Sequence, residues 1–556
     1  MNDHDKHNMM GSRGVTRPMA EMKLQNGQQD HGDHGDHEHH EHHEHHDQSG
    51  HSQGDHSSNH EGSNHGTGHS SGHAMSHDDR LQMLSMHHKQ TLWIYWTLPL
   101  LGIWLLTAPF NFGYLNEALW VDPSGGRGPW FAEQSTPELQ HQRALLMTGS
   151  DVLCGLLLLI FGWRSLKPNR PYSLWTCCFV GVWLTFAPIL FWAPTASSYA
   201  NDSLIGILVM ALTILIPGMP NMIMYMQHGA ATPPGWSYNP SSWPQRWIMI
   251  ATGFLGFLVS RYLAMFQLGY IDYVWDPLFG FTQGTEKVLN SDMSHLWPIS
   301  DGGLGVISYT FEFLMGYMGS PSRWRTMPWM VCFFGILVIP LGLTHIVLVI
   351  SQPVIVHRWC AFCLLAALVM LPMIPLEVDE VVAMIQHVRQ AKARGDRGGS
   401  LWKIFWKGGR ADGCTMDERS PEMISLPDQP GAVLKASIWG MSFPWTLITT
   451  SALGLLLMCL PTWFSIDIKT HAADIGHLGG ALIVTVSVIC MGEVIRTGRF
   501  LNLLLAAAVA VGPWMVAEAT TGYAALCSVI AVAVAALSLP RGQITESYGS
   551  WDRFIR

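Results

Sequence analysis

From Leu92 to Pro540 the chain alternates long apolar runs with short polar stretches, whereas before Leu92 it is almost wholly polar. The runs cover 92–112, 144–163, 172–193, 203–227, 247–268, 302–319, 328–350, 359–376, 442–463, 473–494, 500–517 and 521–540. At about 18–25 residues each is long enough to cross a bilayer as a helix. The pattern predicts an all-α polytopic membrane protein of about twelve transmembrane helices. The first run starts too late in the chain for a secretory signal.

Lys and Arg set the expected orientation. The loops "RSLKPNR" (164–170), "SRWRT" (322–326), "RQAKARGDR" (389–397), "KIFWKGGR" (403–410) and "RTGR" (496–499) are basic, and "SSYAND" (197–202), "YIDYVWDPLF" (270–279) and "EATTGY" (518–523) are not. Threading twelve spans puts every basic loop on one side. A multi-pass protein of the bacterial inner-membrane type is expected, with both termini cytoplasmic and the start of the eighth span outside, in an oxidising compartment. The formal net charge of −9 is dominated by the tail and loops. It identifies no partner beyond membrane lipid, and no nucleic-acid partner is expected.

Residues 1–91 read as a disordered, low-complexity tail, too poor in apolar residues to bury a core. Twenty of the 28 histidines are in it, with His39, His40, His42, His43, His45 and His46 at its centre. Imidazoles at this density bind Zn, Cu, Ni or Co in shifting combinations, though a solvated tail with incidental metal affinity has the same composition.

A repeat follows. "GIWLLTAPF" (Gly102–Phe110) returns as "GVWLTFAPI" (Gly181–Ile189), and more weakly as "GLLLMCLPTW" (Gly454–Trp463) and "AAAVAVGPW" (Ala506–Trp514), with the same spacing from Gly or Ala to Pro. The helices that follow carry Leu153/Gly155 and Leu478/Gly480. Helices 1–4 and 9–12 therefore read as two copies of one four-helix unit (92–232 and 433–556). A distinct central unit (247–394) lies between them, and a basic linker (395–432) precedes the last unit. The Pro-Trp repeats resemble the SPW-repeat membrane proteins, a likeness that implies a helical bundle and no chemistry. Pro and Trp marking helix ends at the membrane interface describe the same residues.

The central unit holds the candidate chemistry. In "RWCAFCLL", Cys360 lies at the start of the eighth helix and Cys363 one turn inward on the same face. A helix N-terminus lowers a thiol pKa, and Arg358 and His357 are expected to add to that. Such a pair can close to a disulfide and exchange with another thiol. The outer cysteine would be nearer water and the inner one nearer the hydrocarbon, where a lipid quinone accepts two electrons. Ten cysteines also allow chance pairs, such as Cys177 and Cys178. Arg261, Glu312 and His345 sit within the central unit's first three helices, in the half that holds Cys363. Charges at that depth pair or line a polar cavity. They read either as an Arg261–Glu312 ion pair that fixes packing, or as groups that bind quinone oxygens. His471, Asp474 and His477 share spacing that a metal can use, but six residues rotate the end members well apart. The single cysteines read as packing.

The stretch from about 247 to 390 resembles the vitamin K epoxide reductase family. The resemblance rests on four helices, on "RWCAFCLLAALVMLPMIPL" (358–376) and on "KVLNSDMSHLWPISDGGLGVISY" (287–309) with its Ser291. It implies a thiol–disulfide oxidoreductase that passes electrons to ubiquinone or menaquinone, with Ser291 among the residues that bind the cofactor. Cys360 would exchange with a partner such as a periplasmic thioredoxin-like protein, and Cys363 would sit beside the quinone. The family's two loop cysteines are missing: residues 269–301 contain none, and Thr285 stands at such a position. The partner is then expected to attack Cys360–Cys363 directly, and substitution of Thr285 to be nearly silent. The alternative from another class is a non-enzymatic membrane protein for transition-metal handling, with the His-rich tail as sensor or buffer.

Overall fold

The computed structural model describes residues 77–124, 136–215, 229–295 and 299–555. Gly72–Arg556 make up one compact unit. The long helices are α1 (Leu92–Asn111), α2 (Pro137–Ser165), α3 (Pro171–Leu190), α4 (Ala196–Ile214), α5 (Trp243–Gln267), α6 (Asp301–Tyr317), α7 (Pro328–Val356), α8 (Ala361–Ala393), α9 (Trp445–Trp463), α10 (His471–Ile489), α11 (Glu493–Met515) and α12 (Thr521–Ser538). Among the described residues eleven are long and apolar enough to cross a membrane, and α6, with 17 residues, falls just short. The protein is an all-α, multi-pass membrane protein, as the hydropathy pattern predicts. The six central tail histidines and residues 216–227 of the predicted fourth span lie outside the described residues. The expected tail boundary at 91 moves back: His77–Gln90 is already helical. It is held where the His88 ring meets Tyr95 at 4.2 Å and its Nε2 meets the Leu166 carbonyl at 3.0 Å.

The repeated glycines explain how paired helices meet. A methyl group on Gly102 of α1 would lie 2.7 Å from the Gly155 carbonyl oxygen of α2, and one on Gly181 of α3 would lie 2.9 Å from that of Gly206 on α4. Gly454 of α9 faces Gly480 of α10 in the same way, at 2.8 Å. Without side chains at the crossing the backbones touch, which is how helices gain packing where lipid supplies no hydrophobic drive. Gly155→Ala should therefore cost about 1–3 kcal/mol through overpacking. Gly149→Ala on the same helix, with no atom near its missing Cβ, should be neutral or gain about 1 kcal/mol. Thermal unfolding of the two variants in detergent checks this; equal midpoints would remove the crossing argument.

α5–α8 pack on one another, with α5 against α6 along most of their lengths. α3 touches α6 on one side, and α10 touches α7 and α8 on the other. α7 is irregular in two places, with wide π-helical turns at Leu337–Leu341 and Gln352–Val356. Pro340 and Pro353 lie in them; proline lacks the N–H that a regular α-helix would use there. The second wide turn ends at His357, in left-handed backbone (φ 55°), and the chain reverses into α8.

Candidate active site

Cys360 caps α8 in extended backbone (φ −110°, ψ 116°), and its Sγ accepts the Cys363 backbone N–H at 3.1 Å. The Cys360 N–H donates to Gln352 Oε1 at 3.2 Å, tying the cap to the wide turn of α7. Both cysteines are free thiols. Cys360 is 0% exposed. The short helix Gly284–Leu289 lies over it, so close that a Cβ on Gly284 would collide with the Trp359 carbonyl. The expectation that Cys360 is the cysteine nearer water is thus corrected, because the loop after α5 folds back onto the cap.

That loop also explains the thiol's electrostatics. Burial pushes the Cys360 thiol up, but hydrogen bonds from Cys363, from the Thr285 side chain and from the Cys363 amide outweigh it and leave it below its ordinary value. Arg358 and His357 do not contribute: the Arg358 guanidinium turns back onto the His357 carbonyl at 2.7 Å. The Thr285 hydroxyl also bonds Asp276 Oδ2 at 2.5 Å. Burial would raise the Asp276 carboxyl, but Thr285 and the N–H groups of Phe279, Leu278 and Thr285 hold it below its usual range. A hydroxyl has one hydrogen and can rotate. Thr285 can give it to Asp276 when Cys360 is a thiol, and to sulfur when Cys360 is a thiolate. Thr285 therefore touches both Asp276 and the thiol, a geometry that argues against an inert role.

One turn inward, Cys363 lines a cavity of about 140 Å³ between α5, α6, α7 and α8. Leu263, Leu289, Leu348 and Met370 supply much of its apolar wall, and Asp301, Tyr309, Glu312, His345 and Gln352 its polar points. Glu312 is 0% exposed and neither carboxyl oxygen has a partner. The Tyr309 hydroxyl donates to the Ala366 carbonyl at 3.1 Å, so the His345 Nδ1 contact at 3.2 Å has imidazole as donor, leaving Nε2 as an acceptor. Cys363, Glu312 and His345 are thus brought to one space. The other two cofactor-binding candidates are not. Arg261 lies over the rings of Tyr199 and Phe257, at 5.7 and 6.0 Å, and forms no ion pair with Glu312. The Ser291 hydroxyl caps the Val288 carbonyl at 2.6 Å, outside the cavity lining. Sequence reasoning passed over Tyr309, although it stands one turn before Glu312 on the same face, and Gln352, which the wide turn swings inward.

His471 Nδ1 lies 3.5 Å from Asp474, while His477 turns away to pack edge-on against Trp359 at 5.5 Å. Among the described residues no group of three His, Cys, Asp or Glu side chains is placed to hold a metal ion. The spacing in α10 is thus used for packing beside the thiol pair.

A buried Cys360 and a partly buried Cys363 thus stand at the head of one helix in a four-helix bundle, the inner sulfur on a partly polar cavity, an arrangement able to carry thiol–disulfide chemistry. Residues 247–378 match the model of the vitamin K epoxide reductase family, so the centre of this chain is similar to that family. No curated protein and no solved structure matches the chain.

Proposed function

We propose that the chain is a membrane thiol–disulfide oxidoreductase in which Cys360 and Cys363 take electrons from a dithiol and pass them to a lipid quinone. The observation that carries this reading is that Cys363 lines the same cavity as Glu312, whose carboxyl is buried without a partner. A dry cavity of roughly 150 Å³ admits one benzene-sized ring, so the residues present suit a quinone head, with the isoprenoid tail left to lipid. A bound quinone would supply a two-electron, two-proton acceptor.

The protein's own groups divide the remaining work. A partner thiolate attacks Cys360 of the Cys360–Cys363 disulfide, the S–S bond breaks, and Cys363 leaves as thiolate. The second partner thiol then attacks the mixed disulfide, releasing oxidised partner and Cys360. Thr285 holds the sulfur charge at Cys360, Glu312 carries a transferable proton at the cavity, and His345 with Tyr309 orients the ring bound there. The partner is proposed to be a thioredoxin-like protein of the outer compartment, with Cys360 facing outside, both termini cytoplasmic, and the bundles 92–232 and 433–556 flanking a 247–394 redox unit.

The test is reduction of a short-chain quinone by purified protein supplied with dithiothreitol; no dithiol-dependent turnover would end this reading. Glu312→Gln keeps the shape and removes the acid. Quinone turnover should fall about 10²-fold, the scale of one general acid, while dithiothreitol still reduces the Cys360–Cys363 disulfide. Stopped-flow absorbance and thiol counting separate the two.

A further inference from the structure

At the end of α8 remote from Cys360, about 40 Å away at 1.5 Å per residue, a glycine-rich loop folds over an arginine that lacks a counter-charge. Arg325 lies in the short helix Arg323–Thr326 and is 0% exposed. Its neighbour Arg323 is matched, its guanidinium spanning both Glu380 oxygens at 2.6 and 2.5 Å. Arg325 is not: its Nε, Nη1 and Nη2 all lack a hydrogen-bond partner. A fold rarely leaves a guanidinium desolvated and alone, because neither water nor an anion then repays the lost hydration.

The groups around Arg325 are further donors. His387 of α8 is 1% exposed with Nε2 unpartnered, and Nε of Arg394 is also buried without a partner. Asp396 is already engaged, accepting from Arg394 at 3.2 Å and from Arg410 at 2.8 Å. The loop "GGRADGC" (408–414) closes the space: the Gly409 N–H donates to the Arg325 carbonyl at 3.3 Å, and a methyl on Gly409 would lie 2.6 Å from His387 Nε2. Gly408 and Gly413 adopt left-handed backbone, φ 71° and 79°, which lets the loop turn back over Arg325. Cys414, half-buried at the loop's end, does not supply the missing charge. Burial raises its thiol more than Arg325 and Arg394 lower it, so it stays neutral at pH 7.

We propose that Arg325, His387 and Arg394 form a binding site for a phosphate-type oxyanion, presented either as free phosphate or as the phosphate of an anionic lipid headgroup. Planar guanidinium forks match tetrahedral oxyanions, and the unpartnered nitrogens are too many for one water. The site does not depend on the redox reading.

The experiment uses full-length protein in dodecyl maltoside and follows alkylation of Cys414 by N-ethylmaleimide, quantified by mass spectrometry of its peptide. Sodium phosphate should slow that alkylation and raise the thermal midpoint, both saturably, where sodium chloride at equal ionic strength does not. Arg325→Met should weaken the phosphate response by about tenfold to a hundredfold, the range of a hydrogen bond to a charged group. If that variant does not fold, Arg394→Gln, at the edge of the site, should weaken it severalfold. Protection in nanodiscs of phosphatidylglycerol but not of phosphatidylcholine, with no response to free phosphate, assigns the headgroup as the source. If neither phosphate nor phosphatidylglycerol changes Cys414 alkylation or the midpoint, or if folded Arg325→Met and Arg394→Gln respond as the parent does, the site does not exist.

Discussion

Cys363→Ser should stop dithiol-dependent quinone reduction, by about 10³-fold or more; given the partner in its disulfide form, the lone Cys360 thiolate should attack that S–S bond and be trapped as a mixed disulfide, the other partner sulfur leaving as thiolate. The scale is that of removing a covalent nucleophile. The asymmetry comes from position. On the proposed reading Cys360 is the sulfur that exchanges with the partner, since Cys363 faces the cavity. Without Cys363 no internal thiol can resolve the adduct. Cys360→Ser should be equally inactive and trap nothing. Non-reducing gels followed by mass spectrometry of the adduct separate the two variants. Retained turnover in both would reduce the pair to packing.

The second large effect concerns pH. Thr285→Ala removes the hydroxyl that stabilises the Cys360 thiolate, and a hydrogen bond to a charged group is worth about 1.5–3 kcal/mol. The parent thiol sits below its ordinary value, so removing a stabilising contact moves it up. Less thiolate is then present at any pH below that value, and the rising limb of turnover against pH moves to higher pH. At pH 7 the rate should fall by about tenfold or more, with recovery as pH rises. Thr285→Ser, which keeps the hydroxyl, should behave as the parent. A uniform loss at every pH would mean that Thr285 only packs the loop.

The transmembrane framework was legible because a bilayer imposes one length and one polarity on every span. The predicted runs and the observed helices differ mainly at their ends, as with α8, whose amphipathic extension reaches Ala393. The helix-capping position of Cys360 was legible too, since capping is local. What the sequence withheld depends on distant segments meeting. The cover over Cys360 comes from residues some 75 positions earlier, and Thr285 was noticed only as a cysteine that is missing. Arg261 and Glu312 looked like a pair because both are charges at similar depth. They face different neighbours, since the rotation of α5 about its axis is set by packing against Tyr199 of α4, which no periodicity records. Gln352 meets the thiol cap from the start of the second wide turn of α7, where Pro353 follows it.

The helix Gly284–Leu289, seated on the Trp359 carbonyl and over a fully buried sulfur, makes admission a matter of mechanics before it is a matter of redox potential. A small thiol such as dithiothreitol reaches the sulfur only in the moments when that helix lifts of itself. On the proposed reading, a partner protein that grips the loop would hold it open, and recognition would then favour that electron donor over a small thiol. On the proposed redox reading, the same cover would shield the reduced pair from stray oxidants and so insulate the quinone from thiol chemistry outside the site.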